Sequence, residues 1–157
     1  MGLNKNFPKS PFKVINPDVR WFPGDESLGH KGREKLLAPL VTKIRQEVFE
    51  WRKKNYSNIS DTSKSLLEYW FKTPHENDFN YYFAQRESVE TIIYLYEVVK
   101  VTNPTDLIKY DSSGVILPSM FEEQWLRLII KQATGTGKTK VLSLLIAWCY
   151  FNKLYEK

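Results

Sequence analysis

The stretch LRLIIKQATGTGKTKVLSLLIAW, residues 126–148, constrains the chain more than any other. A short apolar run ends at Ala133, glycines follow at 135 and 137, and an apolar sequence without proline then continues to Phe151. Glycine reaches backbone conformations closed to other residues, so the centre of this stretch is a tight turn between two regular elements. The run before it, short and mostly apolar, has the composition of a buried strand. The sequence after it predicts a helix from Lys138 to about Lys153.

A strand, a glycine turn and a helix opening on Gly-Lys-Thr form the setting in which a phosphate-binding loop works. Gly135 and Gly137, between Thr134 and Thr136, let successive backbone N–H groups converge on phosphate oxygens. The start of the helix adds its own unpaired N–H groups and a positive dipole end. Lys138 is placed to reach the β- and γ-phosphates as a charge, and the Thr139 hydroxyl to ligate Mg²⁺. The full pattern has a glycine five positions before Gly137; this chain has Gln132 there.

Upstream, Leu36, Leu37, Leu40, Val41, Ile44, Val48 and Trp51 recur at helical spacing between about Lys31 and Asn55, with Pro39 placing the regular start near itself. Asp61 or Thr62 is positioned to cap a short helix through Phe71 that stops before Pro74. Residues 73–80 read as a loop and a possible boundary. A further helix is expected from about Ala84 to Val101, with Val89, Ile92, Ile93, Tyr96 and Val99 as its buried stripe. Residues 12–15 suggest a short edge strand in an otherwise irregular, proline-bearing N-terminal stretch, and 102–124 an irregular connection.

Lys and Arg number 23 against 18 Asp and Glu, a balance that permits a nucleic-acid partner without requiring one. A single cysteine, Cys149, excludes a disulfide framework and fits a reducing, cytoplasmic setting; its apolar helix suggests a small core residue. The longest apolar run, 141–151, is about half of the roughly 20 residues that cross a bilayer. WRKKNY, residues 51–56, mixes cations with a Trp and a Tyr, the combination suited to stacking bases and pairing phosphates, although Glu47 and Glu50 share its helix. His30 and His75 stand in polar surroundings without metal-ligand spacing and read as surface residues.

Residues 127–148, together with YYFAQRESVETIIYLYEV at 81–98, resemble the first motifs of superfamily-two DNA helicases of the DEAD/DEAH type. The nearest likeness is to the restriction subunits of type III restriction–modification enzymes. In that family a Gln-Arg-Glu-Ala helix start precedes the loop, and its glutamine reads adenine; the matching residue is Gln85, and Ser88 stands at the fourth position. A glutamine amide suits adenine because it donates and accepts at once. The resemblance covers about Phe79 to Tyr155.

It implies an α/β fold: a helical leader over residues 1–78, then over 79–157 the beginning of a RecA-like phosphate-loop NTPase domain, with first strand, loop and first helix. It implies ATP and Mg²⁺ as cofactors, held by Gln85, Thr134, Gly135, Thr136, Gly137, Lys138 and Thr139. The intact protein would be an ATP-dependent DNA helicase or translocase acting on double-stranded DNA, with a DNA methyltransferase as a possible companion. Such a motor also needs an acidic motif on a later strand. Glu122 with Glu123 and Asp25 with Glu26 precede the loop and read as surface pairs. The chain is therefore expected to be the N-terminal portion of the motor, without hydrolytic activity of its own. Two alternatives stay open: a non-catalytic DNA- or partner-binding protein that keeps the loop as a relic, and another phosphate-loop enzyme such as a nucleotide kinase.

Overall fold

The computed structural model describes residues 10–17, 40–111, 113–121 and 125–156. The residues before Leu40 in the first expected helix, His30, and the pairs Asp25–Glu26 and Glu122–Glu123 lie outside them. Its regular elements are helices: α1 (Val41–Lys53), α2 (Asp61–Phe71), α3 (Phe83–Ile93), which runs on as a π-helical turn over Tyr94–Val98, and α4 (Lys138–Tyr155). Short 3₁₀ turns occupy Glu76–Asp78, Pro104–Tyr110 and Pro118–Met120.

The α/β expectation is corrected here: among the described residues there is no strand and no sheet. Residues 12–15 form a turn and irregular chain. From Trp125 to Ala133 the burial alternates residue by residue, with Leu126, Leu128, Ile130 and Gln132 turned inward and Trp125, Arg127, Ile129 and Lys131 outward. That is the side-chain pattern of a strand without its ladder. A strand is defined by hydrogen bonds to a neighbour, and no described segment lies alongside to make them.

α1 follows its apolar spacing, with Ile44, Val48 and Trp51 buried on one face and Arg52 and Lys53 in the last turn, where cations complement the helix dipole. α2 is capped one residue before the first expected capping site: Ser60 is the cap, its hydroxyl accepting from the Ser63 N–H at 3.1 Å. α3 departs from the expected stripe after Ile93. The Val99 N–H donates to Tyr94 O at 3.0 Å, a five-residue step that inserts one residue into the turn. The face rotates accordingly, so Tyr94 and Leu95 are buried while Tyr96, expected inside, is 63% exposed.

α3 packs against α1, α2 and α4; α2 also meets α4, and the Pro104–Tyr110 turn rests on α1. One apolar cluster joins Val48, Leu67, Val89, Ile93, Val141, Leu144 and Trp148, drawing on residues either side of position 79. Two polar hubs sit within it. Glu90, fully buried, accepts from Arg52, from Arg86 Nε at 2.8 Å and from the Tyr56 hydroxyl at 2.5 Å. Tyr56 has φ +57°, a left-handed conformation unfavourable for a bulky side chain, and it is held there by this pairing and by an edge contact with Trp51. Glu97, in the π turn, accepts from the Ser60 N–H at 2.8 Å, from Ser63 Oγ, from Trp148 Nε1 at 3.2 Å and from Asn152 Nδ2 at 2.9 Å. It ties α4 to the start of α2.

Among the described residues, only one side of α4 is covered. Val141, Leu144 and Trp148 are buried, whereas Leu142, Ile146, Tyr150 and Leu154 form an exposed apolar stripe at four-residue spacing. Cys149 lies on that exposed side and is not a core residue. No described helix is long and apolar enough to cross a membrane.

Candidate functional site

The loop 134–137 takes the conformation its sequence predicts. Gly135 and Gly137 have φ of +83° and +77°, and Gly137 is the N-cap of α4. A side chain at 137 would be strained by that φ, and its Cβ would overlap Gln85 Nε2. Only glycine fits. The loop is braced internally: Thr136 Oγ1 donates to Ala133 O at 2.7 Å, and the Lys140 N–H closes on Gly137 O at 3.0 Å. The N–H groups of Lys138 and Thr139, in the first turn of α4, have no intrahelical acceptor by helix geometry.

Charge at this helix end is arranged against the helix dipole. The first turn of α4 has no acidic residue and holds Lys138 and Lys140 beside its positive end. Two cations there are unfavourable unless an anion joins them. Lys138 Nζ lies back on the loop, donating to Ala133 O at 3.1 Å and Gln132 O at 3.4 Å. Lys140 Nζ stands 5.6 Å from the centre of the Phe79 ring. Thr134, Gly135, Lys138 and Thr139 are exposed, and Thr136 and Gly137 are half-buried.

Gln85 is brought to this loop across 51 positions of sequence. It sits in the first turn of α3, 6% exposed, and its Oε1 accepts from the Tyr82 N–H at 3.0 Å, the back-reaching half of a capping box. Its Nε2 donates to Thr136 O at 3.1 Å, with Gly137 O at 3.5 Å. The amide thus braces the loop. Both loop carbonyls lie within reach of Nε2, and Oε1 keeps one lone pair beyond the Tyr82 N–H. The start of α3 is itself pinned by Phe83 N–H donating to Pro11 O at 2.8 Å and by Phe12 stacked on Tyr82 at 5.3 Å.

Sequence reasoning missed the aromatic residues around this helix start. Phe79 and Tyr82 are exposed beside Gln85 and Lys140, and Tyr81 packs edge-on with Phe71, Phe79 and His75. The density of aromatics from 79 to 83 was the available signal. His75 is a partly buried member of this cluster, and its Nε2–H donates to Trp70 O at 2.9 Å.

The basic patch is not assembled as a base-stacking surface. Trp51 and Tyr56 are buried, Arg52 is engaged with Glu90, Arg45 pairs with Glu87 at 3.5 Å, and Lys43 donates to Lys109 O. The last turn of α1 and the turn after it direct the two rings of WRKKNY into the core and leave Lys53, Lys54 and Asn55 outside. Among the described residues no cluster of His, Cys, Asp and Glu could hold a metal ion. An Mg²⁺ at this loop would rest on the Thr139 hydroxyl and the phosphates themselves, a mode of binding ordinary for Mg²⁺. No family model, curated protein or solved structure matches the chain.

Proposed function

We propose that the chain binds ATP·Mg²⁺ at residues 134–139, as a nucleotide-binding module of the ATP-dependent DNA helicase or translocase kind. The observation that carries this reading is the α4 N-terminus. Two left-handed glycines, unpaired N–H groups and two cations meet there with no acidic side chain in the turn. That donor set fits a polyphosphate. Lys138 would exchange its loop carbonyls for phosphate oxygens, Thr139 would contribute its hydroxyl to Mg²⁺, and Thr134, Gly135, Thr136 and Gly137 would supply the backbone cradle. Gln85 braces the cradle, and its adenine contact, which rests on the motif resemblance, would require Nε2 to exchange a loop carbonyl for the base. Helicase character, double-stranded DNA, a methyltransferase companion and a cytoplasmic setting rest on the motif resemblance and the reduced cysteine.

The exposed stripe on α4 supports a second reading, in which the chain binds a protein partner and the loop serves regulation. A fluorescent ATP analogue with Mg²⁺ tests the first reading. Saturable binding that is lost in Lys138→Ala, with thermal unfolding unchanged, is expected. Binding that survives Lys138→Ala would move the site away from the loop.

A further inference from the structure

Two residues depart from the motif patterns in this chain, and they touch each other. Gln132 stands where the loop pattern has glycine, and Ser88 where the helix-start pattern has alanine. Gln132 Nε2 donates to Ser88 Oγ at 2.7 Å and to Ala84 O at 3.1 Å, using both amide hydrogens. Ser88 Oγ donates to Ala84 O at 2.8 Å, closing a triangle.

The rest of Gln132 is equally informative. Its backbone carbonyl, with that of Ala133, receives the Lys138 ammonium. Its Oε1 is buried without a hydrogen-bond partner. Exchanging oxygen and nitrogen would set two acceptors, Oε1 and Ala84 O, face to face, so the acceptors fix the orientation. A buried acceptor left unpaired is destabilising. An apolar side chain would avoid that cost, so what the position gains is the amide donor. The donor joins the entrance of the loop to the first turn of α3, and Gln85 reaches in the opposite direction, from that turn to the loop's exit.

We propose that Gln132 and Ser88 are a compensating pair of positioning residues for the nucleotide loop. Glycine at 132 would give the loop entrance freedom; glutamine removes it and, through the Ser88 hydroxyl, anchors the entrance to α3. The carbonyls that hold Lys138, and the N–H groups that follow, are thereby set before nucleotide arrives. The proposal rests on the reading of residues 134–139 as the phosphate site.

The experiment uses the full chain in four forms: wild type, Gln132→Leu, Ser88→Ala and the double variant. Two quantities are measured: hydrogen exchange of the amides of Gly135 to Thr139 without nucleotide, and affinity for a fluorescent ATP analogue with Mg²⁺. Each single variant should exchange faster in the loop and bind the analogue about 2- to 10-fold more weakly, the range that loss of one hydrogen bond gives. The double variant should be no worse than either single one, because both remove the same link. Ser88→Thr, which keeps the hydroxyl, should restore both quantities. Should Gln132→Leu fail to fold, Ser88→Ala removes a single oxygen atom and makes the same test. Accelerated exchange in a wild-type background that binds no analogue would uphold the clamp and overturn the nucleotide reading. Unchanged loop exchange in both single variants would overturn the pair, whether or not the analogue binds.

Discussion

Glu90 and Ile129 stand at opposite extremes of the same molecule. Glu90 is fully buried and receives two arginines and a phenol, and Val48, Leu67, Val89 and Ile93 pack fully buried in the same cluster. Ile129 is 91% exposed on a segment with strand-like alternation and no described strand beside it, and α4 beyond the loop shows an apolar stripe outward. The region around α1 to α3 thus centres on a buried, charge-paired hub, with Arg52 Nη1 the one buried side-chain nitrogen among the described residues left without a hydrogen-bond partner. Among the described residues, the region from 125 onward is anchored on one side, through Val141, Leu144 and Trp148 and through Glu97. Its inner side positions the glycine loop against Gln85 and Gln132, while its outer side is left to solvent or to a partner. Rigidity at a loop, in this chain, does not require a closed sheet; side-chain amides to a neighbouring helix supply it.

The largest expected effect probes the closed region. Glu90→Ala leaves Arg52 and Arg86 in the core without their carboxylate and should cost about 3–5 kcal/mol, the penalty for breaking a buried ion pair from one side. Urea denaturation measures it, and a loss below about 1 kcal/mol would mean that the hub is not part of the cooperative unit.

Glu97→Ala probes the seam between the regions. It removes the acceptor of the Ser63 hydroxyl and the Ser60 N–H, leaves Trp148 and Asn152 only their bonds to serine hydroxyls, and should cost about 1–3 kcal/mol. If α4 is held mainly by this hub, amide exchange should rise in α4 more than in α1. Equal protection in both helices would show that apolar packing alone suffices.

A smaller effect follows from the phenols. Burial, then the hydrogen bond to Glu47, pushes Tyr94 up to about 12, and burial raises Tyr56 and Tyr110 as well. The unfolded chain loses these protons first, near pH 10. Stability is therefore complete below about pH 10 and declines as pH rises through about 12. Chemical denaturation at pH 8, 10 and 11 follows the decline. A flat profile would place these rings in water.

The smallest stability effect belongs to the outer face. Ile146→Lys with Tyr150→Lys should change folding free energy by no more than about 0.5 kcal/mol per site, as exposed positions do. The same change should reduce self-association and binding of a dye for apolar surface. A wild-type chain that sediments as a monomer and binds no dye would show that the stripe needs no cover.

What the sequence made legible tracks how local the physics is. Ile44, Val48 and Trp51 repeat with the helix period, and they are buried as that period requires. The glycine loop was legible because positive φ is a property of single residues. Ser60 was missed as the cap because three consecutive residues, Ser60, Asp61 and Thr62, all carry suitable side chains, and only backbone geometry chooses among them. Tyr96 was misplaced because one inserted residue in the π turn shifts every later position, and no regular period contains that step. The strand at 126–132 failed for a different reason. Its alternation is present, but pairing depends on another segment that the run itself does not specify. Gln85 at the loop was expected through its motif, though as an adenine contact, not as a brace. The Gln132–Ser88 link joins positions 44 apart and had no local signal.

The most direct test of the central claim is a titration of the ¹⁵N-labelled chain with ATP·Mg²⁺, followed amide by amide. The account requires saturable shifts at Gly135, Gly137, Lys138 and Thr139, spreading to Gln85, with α1 unmoved and with no such response in Lys138→Ala. Loop amides that stay fixed at saturating nucleotide, or that shift equally in Lys138→Ala, would contradict it.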